Sequence, residues 1–261
     1  MQDKGLAAYI AELIGTFLLV FFISSVVILY VSAGNNAQFG TDFAVVGLTH
    51  AFLLFGLLIM FGGVSGGHFN PVVTVAVAAL RRIDPIDAVV YVLAQLSGGV
   101  LGALLAKGLF VDEGRTIDYA AAAVSPILGS PFQGAIIEAL GTFVLVLVIC
   151  AAALGARSNR DWAPLAIGST LGFIVMVGGP LTGGSFNPAR WFGPALVGDS
   201  FGSFGDIWPY LAGPLVGALL AAAVFRFVIE PGEIEEPDTA PGKSEGIGHD
   251  IARPGAGGKT V

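Results

Sequence analysis

Gly66-Gly67-His68-Phe69-Asn70-Pro71 returns in the second half of the chain as Gly183-Gly184-Ser185-Phe186-Asn187-Pro188, both times inside apolar sequence. Each Asn-Pro opens an apolar run too short to cross a bilayer: Pro71 to Leu80, and Pro188 to Val197. Ten helical residues rise about 15 Å, half of a hydrocarbon core of about 30 Å. Asn is a favoured N-cap and Pro a favoured first helical residue, so each motif predicts a half-length helix entered from a glycine-rich loop. Two such half-helices meeting end to end make one full span, with both N-termini at the midplane.

The rest of the chain fits a membrane setting. Hydrophobic residues make up 55% of it and charged residues 12%, far from the balance of a soluble domain. Six stretches are long and apolar enough to span: about Ala7 to Val31, Phe43 to Phe61, Ile86 to Ala106, Phe132 to Leu154, Pro164 to Val177 with its flanks, and Ile207 to Ile229. The first is too long for a removable signal peptide and carries Glu12 within it. In a six-span arrangement Lys4, Arg81, Arg82, Arg157, Arg160 and Arg226 fall on one side and only Lys107 and Arg115 on the other, which predicts cytoplasmic termini. Most of the net charge of −7 comes from residues 230–261, a Gly- and Pro-rich acidic stretch that reads as a disordered cytoplasmic tail. Cys150 is the only cysteine and excludes an intramolecular disulfide.

Two further pairs extend the repeat. Ala11-Glu12-Leu13-Ile14-Gly15-Thr16-Phe17 is echoed by Ile137-Glu138-Ala139-Leu140-Gly141-Thr142-Phe143, and Tyr91 through Gly98 by Tyr210 through Gly217. Three spans per repeat is an odd number, so the second copy is inverted relative to the first, an arrangement that places a site at the midplane. The expected organisation is an all-α membrane protein: residues 1–6 a cytoplasmic N-terminus, 7–110 the first repeat with half-helix 70–80, 111–131 a connecting loop, 132–229 the second repeat with half-helix 187–197, and 230–261 the tail. Glu12 and Glu138 are intramembrane carboxylates. They suit either a proton relay or the acceptance of N–H groups that re-entrant loops leave outside any helix ladder.

At the midplane, two half-helix N-termini sum their partial positive charges and oppose cations, including a hydrated proton. Asn70 and Asn187 each cap a helix through the side-chain oxygen, leaving amide N–H groups for the lumen, where they orient a water and break a proton wire. The loops before them, including Gly66, Gly67, His68, Gly183 and Ser185, are expected to line the path with carbonyls. His68 reads as a hydrogen bonder that fixes its loop. Arg190, three residues after Asn187, is tolerable at that depth only beside water. His50, Val175 and Gly184 are placed to reach its level, against plainer readings as an interhelical hydrogen bonder, a packing residue and a backbone turn.

The paired Asn-Pro motifs, Asn187-Pro188-Ala189-Arg190, the Glu12 and Glu138 repeats and the six spans resemble the major intrinsic protein family of aquaporins and glycerol facilitators, over about Ala7 to Val228. The resemblance assigns Asn70-Pro71-Val72 and Asn187-Pro188-Ala189 as the midplane motifs. It assigns His50, Val175, Gly184 and Arg190 as the selectivity filter, a combination most similar to the plant tonoplast subgroup. It implies a homotetramer with one pore per subunit, conducting water and small neutral solutes. Departures are visible: Val72 replaces the usual Ala, Trp191 follows the filter arginine, and Leu211 stands where water channels usually carry Trp.

The expectation is a passive channel in the cell membrane that passes water and, through small Val175 and Gly184, ammonia, while excluding ions. The alternatives are a glycerol or urea facilitator and a secondary transporter built on inverted repeats. The sequence carries no metal cluster, activated nucleophile, phosphate-binding loop or nucleic-acid surface, so neither enzymatic function nor a cofactor is expected. Its partners are the permeating solutes, lipid and further copies of itself.

Overall fold

The computed structural model describes residues 5–31, 42–155 and 160–231; Lys4, Arg157 and the acidic tail beyond residue 231 lie outside them. In chain order the helices are α1 (Gly5–Tyr30), α2 (Phe43–Ser65), α3 (Pro71–Ala79), α4 (Pro85–Leu109), α5 (Val111–Arg115), α6 (Pro131–Ile149), α7 (Ala163–Thr182), α8 (Pro188–Val197) and α9 (Phe204–Val224). Wider π-helical turns at Cys150–Leu154 and Phe225–Ile229 prolong α6 and α9. Six of these helices are long and apolar enough to cross a membrane, while α3 and α8 have 9 and 10 residues.

Local chemistry accounts for the boundaries. Asp42, Asp84 and Ser130 cap α2, α4 and α6 through their side chains, and Pro85 and Pro131 open the latter two helices. At the other end, α2 stops at Gly66 and α7 at Gly183, both left-handed, with φ of 92° and 77°. That turn sends the chain back into the bundle as the loop feeding each half-helix.

The two repeats use the same contact to pair their spans. A Cβ on Gly98 of α4 would lie 2.4 Å from the Leu13 carbonyl oxygen of α1, and one on Gly217 of α9 would lie 2.1 Å from the Ala139 oxygen of α6. Only a glycine admits backbones at that distance. Helices α2 and α7 close the bundle at its centre, where Gly168 rests on the Ala51 carbonyl. Phe69 and Phe186 fill the core between them, beside Leu54, Leu57, Leu171 and Val175. Outward-facing Phe52, Phe132, Leu140 and Leu220 are exposed in the monomer and suit a lipid or helix environment. The stretch expected as a plain connection over 111–131 contains α5 and a turn at Asp118–Ala120, and it folds back to give Ser125 N–H to the Leu181 carbonyl at 2.8 Å.

Candidate functional site

The half-helices α3 and α8 meet at their N-termini through crossed hydrogen bonds. Asn70 Oδ1 accepts from Val72 N–H at 3.1 Å, and its Nδ2 donates to the Phe186 carbonyl at 2.9 Å. Asn187 Oδ1 accepts from Ala189 N–H at 2.9 Å, and its Nδ2 donates to the Phe69 carbonyl at 2.9 Å. Capping from each Asn oxygen follows from the Asn-Pro pair. The crossing does not: it takes one of the two amide N–H groups of each Asn and leaves one for the cavity that both residues line. The carbonyls are available because Phe69 and Phe186 adopt left-handed backbone, φ 47° and 50°, a conformation costing roughly 1–2 kcal/mol per residue. Their rings offset this by sitting where Gly15 and Gly141 have no side chain; a Cβ there would lie 2.0 and 2.2 Å from the nearest ring carbon.

Each re-entrant loop hangs from a buried carboxylate. Glu12 accepts from Ser65 Oγ at 2.6 Å, His68 N–H at 2.9 Å, Phe69 N–H at 2.7 Å and Gln95 Nε2 at 2.8 Å. Glu138 accepts from Thr182 Oγ1 at 2.6 Å, Ser185 N–H at 3.0 Å and Phe186 N–H at 2.6 Å. Loop N–H groups that no helix ladder reaches therefore find charged acceptors, the stronger kind. His68 adds a contact between its Nδ1 and Thr74 Oγ1 at 3.0 Å. Tyr91 and Tyr210 donate to the Ser65 and Thr182 carbonyls, each at 2.8 Å, and close the loops from outside.

A cavity of about 550 Å³ runs past these groups. Its wall includes His50 and Arg190 towards one end, Asn70 and Asn187 in the middle, and Gly66, Gly67, His68 and Ser185 along the loops; Arg160 and Leu154 also line it. Apolar Leu19, Ile23, Leu54 and Leu171 supply much of the remainder. Arg190 is 2% exposed and gives Nη1 to the Ala120 carbonyl at 3.1 Å, while its Nε has no protein partner. His50 donates Nδ1–H to the Val46 carbonyl at 2.8 Å, and its buried Nε2 has no protein partner. These two side chains thus bring unsatisfied polar atoms to a cavity, an arrangement that is costly unless a solute or water completes it.

Of the residues the sequence singled out, the structure brings His50, Arg190, Asn70, Asn187 and the Gly66–His68 and Ser185 loops to one cavity. Val175 and Gly184 lie close by without forming its wall. Val175 is buried among apolar core residues, and Gly184, at φ 57°, packs against the Gly179 backbone, where a Cβ would come within 3.2 Å of the nitrogen. Gly183 packs against Ala122. Val72 joins the core against α9, and Trp191 stacks on Tyr210 with centroids 5.7 Å apart.

Ser65, Thr182, Thr74, Gln95 and the Ala120 carbonyl also hold the site, beyond the residues the sequence motifs single out. A buried polar residue in a span, such as Gln95 within the Tyr91–Gly98 repeat, is a signal that was there to be used. The role of Ala120 is a backbone role and leaves no such mark.

The sequence matches the profile of the major intrinsic protein family over residues 2–225. A glycerol uptake facilitator-like protein of Lactiplantibacillus plantarum is 37% identical over 84% of this chain and 96% of its own length. A probable aquaporin of the TIP2-2 type from Oryza sativa subsp. japonica is 36% identical over 88% of this chain and 90% of its own. The X-ray structure of the aquaglyceroporin from Plasmodium falciparum superposes with a TM-score of 0.75 at 22% identity, covering 88% of this chain and 98% of that one, and so speaks for the fold. With a family match along nearly all of the six-span region and the same fold beneath it, this chain belongs to the major intrinsic protein family and is an integral membrane channel, not an enzyme.

Proposed function

We propose that the channel passes water and ammonia passively along the 550 Å³ cavity and excludes ions and protons. The observation carrying this reading is the pairing of His50 and Arg190 on one cavity, each with a ring or guanidinium nitrogen that no protein group satisfies. A neutral solute with a lone pair completes Arg190. One that also donates completes His50 in the tautomer that leaves Nε2 as acceptor. Water and ammonia do both. A cation meets instead the fixed charge of Arg190 and the positive ends of α3 and α8.

At the midplane, the single remaining N–H of Asn70 and of Asn187 donates to the passing molecule. A water held this way has both lone pairs engaged and points its own protons away, which interrupts proton relay between waters. In this reading Val175 and Gly184, which lie behind the cavity wall, leave room beside the polar pair by being small. The channel works as a homotetramer with one pore per subunit, in the cell membrane, with both termini in the cytoplasm. The exposed apolar faces and the basic Arg81, Arg82 and Arg226 at the end remote from Arg190 support that placement.

Stopped-flow shrinkage of proteoliposomes, with an internal pH dye reporting ammonia entry, tests the proposal. The expected result is water flux well above empty vesicles, and ammonia entry reduced about tenfold by His50→Phe, which removes an acceptor and narrows the passage. Water flux without ammonia entry sinks the second solute. Glycerol or urea passing as readily as water favours a facilitator, the reading that fits the facilitator-like relative. Flux that saturates and follows an ion gradient points to a coupled transporter.

A further inference from the structure

The turn Asp118–Ala120 carries three consecutive non-glycine residues in left-handed backbone, with φ of 48°, 54° and 72°. Such a run costs roughly 1–2 kcal/mol per residue and persists only where surrounding contacts hold it. The middle residue shows what holds it. Tyr119 is 6% exposed; its ring lies against Gly114, where a Cβ would come within 2.4 Å, and its hydroxyl donates to the Val111 carbonyl at 3.1 Å. Lys107 Nζ sits 4.8 Å from the centroid of the same ring and donates to the Val197 carbonyl at 2.8 Å. The turn also touches α8 directly, since a Cβ on Gly198 would lie 2.5 Å from the Asp118 oxygen.

Val197 is the last residue of α8, and Arg190 stands on its first turn. Arg190 donates to the carbonyl of Ala120, the third residue of the strained turn. One three-residue turn therefore touches both ends of the half-helix: its carbonyl holds the guanidinium at the cavity, and its aromatic ring holds the ammonium that caps the helix C-terminus. A lysine at that C-terminus also complements the helix dipole. Releasing the ring from Lys107 frees the turn to relax its left-handed backbone, and the Ala120 carbonyl moves with it.

We propose that Lys107 and Tyr119 are positioning residues for Arg190, so that solute discrimination depends on a lysine–aromatic contact at the far end of α8. The proposal rests on the channel reading above, but it concerns the placement of Arg190 and has a test of its own. The transport test compares urea and water permeability in proteoliposomes. Lys107→Met and Tyr119→Leu are each expected to raise the urea-to-water ratio about threefold, the worth of an exposed to partly desolvated cation–π contact. Lys107→Arg, which keeps the cation, restores the ratio. In an Arg190→Ala background the same two substitutions leave the ratio unchanged, because the residue they act through is gone. A role confined to capping α8 predicts otherwise: Tyr119→Leu, which keeps the Lys107 bond to Val197, then has no effect. That result overturns the proposal, as does a Lys107→Met effect of equal size with and without Arg190.

Amide hydrogen exchange supplies a readout that needs no transport. Ala120 and Ala121 N–H donate to the Ile117 and Asp118 carbonyls at 3.0 and 3.1 Å within the turn. Lys107→Met is expected to speed their exchange about threefold. Unchanged exchange overturns the clamp whether or not the wild-type protein conducts; absent flux with faster exchange defeats the channel reading alone.

Discussion

The two half-helices follow one plan but spend their polar groups differently. Around α3, Glu12 takes four donors, Gln95 Nε2 also donates to Thr74 Oγ1 at 2.9 Å, and His68 joins Thr74, so the polar side chains bind one another. Around α8 the matching positions are Pro214 for Gln95, Trp191 for Thr74 and Ser185 for His68, and the network is gone. Three residues after each Asn, α3 carries Val73 and α8 carries Arg190, both on the cavity wall. One half bonds most of its polar side chains to one another, and the other turns the unpartnered Arg190 Nε toward the cavity. Inverted duplication places equivalent backbone on both sides of the midplane; the side chains then divide support from recognition.

The difference predicts unequal dependence on the two carboxylates. Removing Glu138 leaves the Ser185 and Phe186 N–H groups buried and unpaired and the Thr182 hydroxyl with only its long 3.4 Å bond to the Gly178 carbonyl, so Glu138→Ala is expected to destabilise by about 3–5 kcal/mol. Glu12→Ala is expected to cost about 1–2 kcal/mol less, because Gln95 keeps a buried, unused Oε1 beside the vacated site. Thermal unfolding of the purified protein in detergent measures both, and equal losses would show that Gln95 gives no backup.

The packing of the half-helices sharpens the comparison on a smaller scale. Helix α8 meets α4 backbone to backbone: a Cβ on Gly99 would lie 2.6 Å from the Ala189 oxygen, and one on Gly193 would lie 2.3 Å from the Gly99 oxygen. Helix α3 meets α9 through side chains, with Val72, Ala76 and Ala218 in one buried cluster. Gly99→Ala is expected to cost about 2 kcal/mol by overpacking, whereas Ala218→Gly at the matching position costs about 1 kcal/mol through propensity. The same unfolding assay decides; a harmless Gly99→Ala would mean that α8 can shift outward without loss.

The weakest contrast lies at the outer ends. The C-terminus of α8 is held by the Lys107 bond, while the loop after α3 is tied to the end of α9 by Glu230, which accepts from Arg82 at 2.8 Å and from Arg226. The hydrogen bond from Arg226, with help from Arg82, holds the Glu230 carboxyl below its ordinary value of 4.5. A carboxylate with a depressed folded-state value contributes stability above its unfolded value, and that contribution disappears as pH falls through the folded one. Both arginines are exposed, so the effect is small and screened by salt. The unfolding temperature is expected to drop slightly more in wild type than in Glu230→Gln between about pH 6 and about pH 3. Identical drops would assign the tie no role.

The Asn-Pro pairs made the half-helices readable because cap and first residue are both local signals, and the glycines at 98 and 217 stood out only as the ends of the stretch from Tyr91 that recurs from Tyr210. Gly66 and Gly183 were expected as carbonyl-lining loop residues, and their left-handed helix-ending role came only with the structure. What stayed hidden was carried by backbone atoms or by distant partners. Ala120 matters for a carbonyl that any residue has. The Asp118–Ala120 turn contains no glycine to announce its left-handed backbone, and Lys107 finds Tyr119 and Val197 only once α4 and α8 are side by side. The crossing of the two asparagine amides depends on a pair of carbonyls in the opposite repeat, which no single motif encodes.

That crossing has a consequence for how the protein is made. The two bonds join residues 116 and 118 positions apart, so the first re-entrant loop leaves the ribosome long before its acceptor exists. At about 5–20 residues per second, the wait is on the order of ten seconds. Until then Asn70 has an unmatched amide and the Phe69 carbonyl an unmatched lone pair, both at bilayer depth. The first three spans are therefore an unfinished object during synthesis, and the second repeat serves as the template that lets the first one close.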